Sequence, residues 1–161
     1  MMKTLFFTIL LLTGSYSSVA SQVFHRYIAP LENEVVVIVP EENLVLNGPY
    51  GDEVGFCDNN SKFICINHPI FWLSIPKAID SLSDGDTWEY EEAKYKLLTR
   101  FQKYKFKKYK FDEAFVIKGE SQTEEIYFVY IKEFGVVYRE SDKSTVFGTL
   151  ILDGEVGFGA Q

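Results

Sequence analysis

Two cysteines and two histidines, with one acidic block and one lysine run, hold most of the reactive chemistry in this 161-residue chain. Cys57 and Cys65 lie in GFCDNNSKFICIN. Asp58-Asn59-Asn60-Ser61 is turn chemistry, and Phe63-Ile64-Cys65-Ile66 is strand-like. Folding the chain about Ser61 sets Cys57 opposite Cys65 and Phe56 opposite Ile66, on the face of Ile64. One register then serves both a disulfide and an apolar face. Closing so short a loop stabilises the fold by about 2.6 kcal/mol in the chain-entropy model. The competing chemistry is a zinc site that adds His68. The spacing C-x7-C-x2-H matches no standard zinc pattern and leaves a fourth ligand to be found elsewhere. A redox pair would read C-x-x-C. The pattern therefore predicts a Cys57–Cys65 bridge, with no metal and no cofactor.

Charge is distributed unevenly. Asp80, Asp84, Asp86, Glu89, Glu91 and Glu92 form a block without a base. Directly after it come Lys94, Lys96, Arg100, Lys103, Lys105, Lys107, Lys108 and Lys110, interleaved with Tyr95, Phe101, Tyr104, Phe106, Tyr109 and Phe111. With Trp88 these bases make a candidate binding surface, in which lysines supply charge and aromatics supply stacking. The same alternation also describes a strand with rings in the core and lysines in water. Lysine on an edge strand blocks edge-to-edge aggregation as well. Trp72 lies inside the apolar run IFWLSI and reads as core, whereas Trp88, flanked by Asp86, Thr87 and Glu89, reads as surface.

Assembled catalytic motifs are missing from the sequence. His25 lies close to the start of the chain and His68 beside the bridge. There is no G-x-S-x-G elbow, no H-E-x-x-H and no P-loop. Bridged cysteines are not nucleophiles. A carboxylate pair working on glycosides is the one enzymatic alternative, because that chemistry needs only two acids at a set separation.

Residues 1–20 have the order of a secretory leader: Lys3, then the apolar run Leu5–Leu12, then small residues ending in Ser18-Val19-Ala20. The run is too short to span a bilayer. Cleavage is expected after Ala20, with residues 21–161 forming a single domain in the periplasm or outside the cell, where thiols oxidise. Without residues 1–20, which carry Lys3 and no acid, the net charge is −8 against −7 for the whole chain. Such a charge repels nucleic acid and anionic membrane at long range. Asn59-Asn60-Ser61 also spells a glycosylation sequon. The short leader has bacterial form, so Asn59 is read as a turn residue.

These residues must be positioned by strands. The chain is 47% hydrophobic, 16% aromatic and 24% charged, enough apolar material for one core and too much for disorder. Val35–Val39, stopped by Pro40, and Leu44–Leu46 read as strands, followed by a loop over 47–52. Ile70–Ile75 reads as a strand, and 77–82 as one or two helical turns with Ser74 near the cap. Further strands are expected at Ala114–Ile117, Ile126–Ile131, Gly135–Tyr138, Val146–Leu152 and Val156–Phe158. The last two flank Asp153-Gly154, a strong hairpin signal. Residues 86–111 fit a hairpin turning at Glu91-Glu92, with Trp88, Tyr90, Ala93, Tyr95 and Leu97 alternating. They also fit a helix over 86–105 capped by Asp86 and Glu89.

The expected fold is mainly β, a sandwich or barrel-like antiparallel sheet with at most one or two short helices; the alternative is α+β with the 86–105 helix. Export and the lack of a catalytic motif lead to an expected non-enzymatic binding protein whose partner is a protein, in an inhibitor or immunity-like role against a toxin or hydrolase. An envelope polyanion is the other expected ligand, with no nucleic acid and no stable membrane insertion. A small polysaccharide hydrolase and a structural envelope component are the alternatives.

Overall fold

A computed structural model of the chain describes residues 23–58, 60–142 and 147–161. The leader over 1–20, Asn59 and Val146 lie outside these described residues. The first meander comprises β1 (His25–Ala29), β2 (Glu34–Val39), β3 (Leu44–Asn47) and β4 (Tyr50–Glu53). A small sheet follows, with β5 (Gly55–Phe56), β6 (Phe63–Asn67) and β7 (Leu73–Pro76). The second meander comprises β8 (Thr87–Tyr90), β9 (Ala93–Phe106), β10 (Tyr109–Glu120), β11 (Glu125–Ile131), β12 (Gly135–Ser141) and β13 (Thr149–Leu152). β1 pairs with β13, so the two meanders merge into one ten-stranded sheet in the order β4-β3-β2-β1-β13-β12-β11-β10-β9-β8. The protein is mainly β, with a large antiparallel sheet and a small second sheet, and among the described residues no helix packs over them. Pro40–Glu42 and Ile79–Ser81 form short 3-10 turns.

Period-two patterning explains these strands. In β11, Ile126, Phe128 and Tyr130 are buried while Tyr127 and Val129 are half-buried. In β9, Tyr95 and Leu97 are buried while Lys94 and Lys96 face water. That alternation decides 86–111 in favour of the hairpin, because a helix would bring Lys94 and Leu97 towards the same side. Glu91-Glu92 is the turn, and Trp88 faces Tyr95 across it. The helix over 86–105 is therefore not formed.

Both sheets contribute to one core. Phe71, Leu73 and Ile75 of the small sheet and its entry pack in a cluster with Tyr27, Phe115 and Tyr130 of the large sheet. Tyr27 is fully buried; its hydroxyl donates to the Val136 carbonyl at 3.0 Å and accepts from the Phe158 amide at 2.8 Å. Gly135 (φ +78°) and Gly157 allow the C-terminal segment to lie against β12. A Cβ on Gly135 would stand 2.2 Å from the Gly157 carbonyl oxygen.

Four local expectations fail. The 47–52 segment is a hairpin, with Asn47 paired to Tyr50 around Gly48-Pro49. Gly48 at φ +57° gives the glycine-first arrangement of a II′ turn. Residues 70–72 turn before β7 begins, and Ser74 lies buried within β7, where it caps nothing. The third and fourth concern the chain's end: Asp153-Gly154 makes no hairpin, and 156–158 is no strand. β13 already has β1 and β12 on its two edges, so a returning strand has no place to pair. The Asp153 and Gly154 amides instead donate to the Arg26 carbonyl at 2.8 and 3.2 Å.

Candidate functional site

The disulfide forms as the spacing requires. Cys57 and Cys65 are bridged with Cα atoms 5.2 Å apart, and Phe56 pairs with Ile66. The turn is closed by the Ser61 amide donating to the Asp58 carbonyl at 2.8 Å, and the Phe63 amide donates to Ser61 Oγ at 3.1 Å.

Next to this hairpin, a cleft of about 620 Å³ opens between the small sheet, the β8–β9 turn and the β10–β11 loop. Trp72, Tyr90 and Tyr95 form its aromatic lining, and Glu91, Glu92 and Glu124 supply carboxylates. Each is held by its element. Tyr95 lies opposite Gly119 on β10, where a Cβ would come within 3.0 Å of the tyrosine ring. Tyr95 is also stacked on Trp88 (centroids 5.7 Å apart) and meets Trp72 edge-on at 6.0 Å. Glu91 adopts left-handed backbone geometry (φ +52°), which a glutamate takes only against a steric cost. Its Oε2 accepts from Asn67 Nδ2 at 2.9 Å, tying the turn to β6 across the cleft.

Beneath the cleft is a buried charge network. Glu124 Oε2 accepts from Trp72 Nε1 at 2.7 Å, and its Oε1 accepts from Arg139 Nη2 at 3.1 Å and from the Ser141 hydroxyl. Arg139 is 1% exposed, and its Nη1 reaches the Phe147 carbonyl at 3.5 Å. Burial pushes the Arg139 pKa down while the Glu124 carboxylate opposes that shift. The phenols above are shifted the other way. Burial first, then the charge of Glu91, raises the pKa of both Tyr90 and Tyr95.

Both histidines are structural. His25 Nδ1 lies 3.1 Å from the Val156 carbonyl, which fixes the proton on that nitrogen, and its ring meets Phe158 edge-on. His68 Nδ1 accepts from the Ile70 amide at 3.2 Å, while its Nε2 lies 3.9 Å from Asp52. Burial lowers the pKa of each. Among the described residues, no group of three or more His, Cys, Asp or Glu is placed to hold a metal ion.

The predicted basic surface divides into three parts. Near the cleft, Lys94 faces Glu89 at 3.7 Å, and Lys96 lies between Thr87 and Lys118. Trp88 shares that end, half-buried, with its Nε1 donating to the Ser74 carbonyl at 3.0 Å. Arg100 is engaged within the fold. Its guanidinium donates to the Asp80 and Leu82 carbonyls, pairs with Glu113 at 3.2 Å and lies over the Phe115 ring. Lys103, Lys105, Lys107, Lys108 and Lys110 gather at the far end of the β9–β10 hairpin, all exposed. At about 3.3 Å per residue, β9 separates this tip from the cleft by about 40 Å.

Three cleft residues had no functional reading in the sequence. Glu124 follows a loop and resembles any surface acid. Trp72, which reads as core, does pack against it, half-buried, and also lines the opening. Arg139 did carry a signal, since in Val137-Tyr138-Arg139-Glu140-Ser141 it stands where a strand's alternation calls for a buried residue, and a buried arginine demands an acid.

Compared with known proteins, the chain matches no family model, no curated protein and no solved structure.

Proposed function

We propose that this is an exported, non-enzymatic binding protein whose partner is another protein, gripped through a lysine or arginine side chain that enters the Trp72–Tyr95 cleft. One observation carries the reading: aromatic faces and carboxylates converge on a single concavity, the lining that attracts a cationic side chain. Glu91 and Glu92 meet the charge at the mouth, and Trp72, Tyr90 and Tyr95 hold the aliphatic stem. The net charge of −8 without residues 1–20 steers a basic partner towards it. A cationic hydrolase or toxin has the required chemistry, and occupying its surface is what an inhibitor or immunity protein does.

Hydrolysis by paired carboxylates receives less support. Both oxygens of Glu124 are already engaged by Trp72, Arg139 and Ser141, which leaves it poorly suited to act as acid or nucleophile.

Affinity capture from the envelope fraction of the producing organism tests the proposal, with Glu91→Lys/Glu92→Lys as the paired variant. A partner retained by the unaltered protein should be lost by the variant, and its association rate should fall as salt rises. Equal retention by both proteins, or a rate indifferent to salt, overturns the reading.

A further inference from the structure

We propose a second docking surface at the opposite end of β9: the β9–β10 tip, with the segments flanking β1 and β13, lies on an anionic lipid bilayer. These elements enclose a groove of about 750 Å³ whose lining includes Val23, Phe24, Lys107, Lys108, Tyr109 and Val156. Among the described residues seven large hydrophobics are exposed, and four of them meet here: Val23 (53%), Phe24 (57%), Tyr109 (37%) and Val156 (42%). A soluble monomer seldom gathers its exposed apolar residues in this way without a use for them.

The charges around the groove are arranged against the stability of the hairpin. Lys105 faces Lys110 directly across β9 and β10, and like charges in that position repel. The turn beyond them is Lys107-Lys108, with Lys107 in left-handed geometry (φ +52°). Lys107 reaches Asp153 at 3.8 Å, but Asp153 is already paired with Arg26 at 3.1 Å. Glu155 is the other acid lining the groove. Lys105, Lys108 and Lys110 make no ion pair among the described residues. A local positive excess remains, and the carboxylates of the cleft lie at the other end of the 14-residue β9. Screening over about 8 Å at physiological salt lets a surface approaching the tip meet the nearby lysines first.

Lysines alone would suit any polyanion. The rings and aliphatic chains set among them are what favour a bilayer, because an interface takes Phe24 and Tyr109 at headgroup level while lysines meet anionic headgroups. The protein rests on the surface without crossing it. Among the described residues no helix is long and apolar enough to span.

Co-sedimentation with vesicles tests this, comparing pure phosphatidylcholine with phosphatidylcholine containing about a third phosphatidylglycerol. The exported protein should pellet with the anionic vesicles and stay in solution with the neutral ones. Lys105→Glu/Lys108→Glu should weaken association by about tenfold or more, and Phe24→Ser should weaken it at low and high salt alike. Urea midpoints no lower than that of the unaltered protein establish that both variants fold. Failure of the folded protein to bind anionic vesicles overturns the proposal. So does binding that Phe24→Ser leaves untouched while dextran sulfate competes it away, since charge alone would then account for it.

Discussion

At the start of β9, Lys94 faces Glu89, and the neighbouring Lys118 is held by Glu125 at 2.8 Å and Glu120 at 3.5 Å; at its far end Lys105 faces Lys110. At its start the like pair Lys96 and Lys118 is relieved by Glu120 and Glu125, whereas Lys105 and Lys110 at its end have no ion-pair partner among the described residues. Near the cleft even the buried charge is matched, Arg139 against Glu124. The difference separates charges that are matched within the fold from lysines that are not. Paired charges need no further counter-charge, whereas like charges gathered on a projecting turn repel one another.

The largest effect is expected at the matched end. Glu124→Ala leaves Arg139 buried without a counter-charge and should remove about 3–5 kcal/mol of stability. The double variant Glu124→Gln/Arg139→Met should lose much less, because no charge is then stranded. Urea unfolding of both proteins compares them, and equal losses would show that shape rather than charge holds this network together. Next comes the bridge. Cys57→Ser/Cys65→Ser should cost about 2.6 kcal/mol and abolish any response of the melting temperature to reductant.

A smaller effect depends on pH. Burial lowers the pKa of His25 and His68 below the ordinary 6.5, so the unfolded chain binds protons that the folded one refuses. The stability they confer is complete above that value, declines as pH falls through it and levels off below the folded-state pKa. Urea midpoints measured between about pH 8 and pH 5 should drop on the acid side, and His25→Gln/His68→Gln should flatten that decline. The smallest change belongs to the tip and has the opposite sign. Lys105→Glu replaces a repelling cross-strand pair with an attracting one and should raise stability by about 0.2–1 kcal/mol. A variant that gains stability and loses vesicle binding would sharpen the contrast between the two ends; a loss of stability would break it.

How much of this was legible in the sequence depended on whether the signal was local. The cysteine register was readable because turn, alternation and bridge all lie within one hairpin, and the Glu91-Glu92 turn was readable from the alternation on either side. The full reach of β9 was not, because its far turn is Lys107-Lys108, without the glycine or asparagine that marks a left-handed position. Asp153-Gly154 misled for the reverse reason: the dipeptide is a strong turn former, but the edges of β13 were already occupied by β1 and β12. The cleft was out of reach altogether. Trp72, Tyr95 and Glu124 come from three separate segments, and only the packing of the small sheet on the large one brings them together.

The pairing of β1 with β13 also governs when the molecule can assemble. Tyr27 exchanges a hydrogen bond with Phe158 across 131 positions of chain, and β1 has β13 as one of its two neighbours. During synthesis the early meander therefore waits, with one edge bare, until nearly the whole polypeptide has emerged. Such long-range closure makes for slow acquisition of structure and a prolonged need for protection from self-association. The cysteine hairpin is under no such delay, since its partners lie eight residues apart, and it can give the emerging chain its first fixed point.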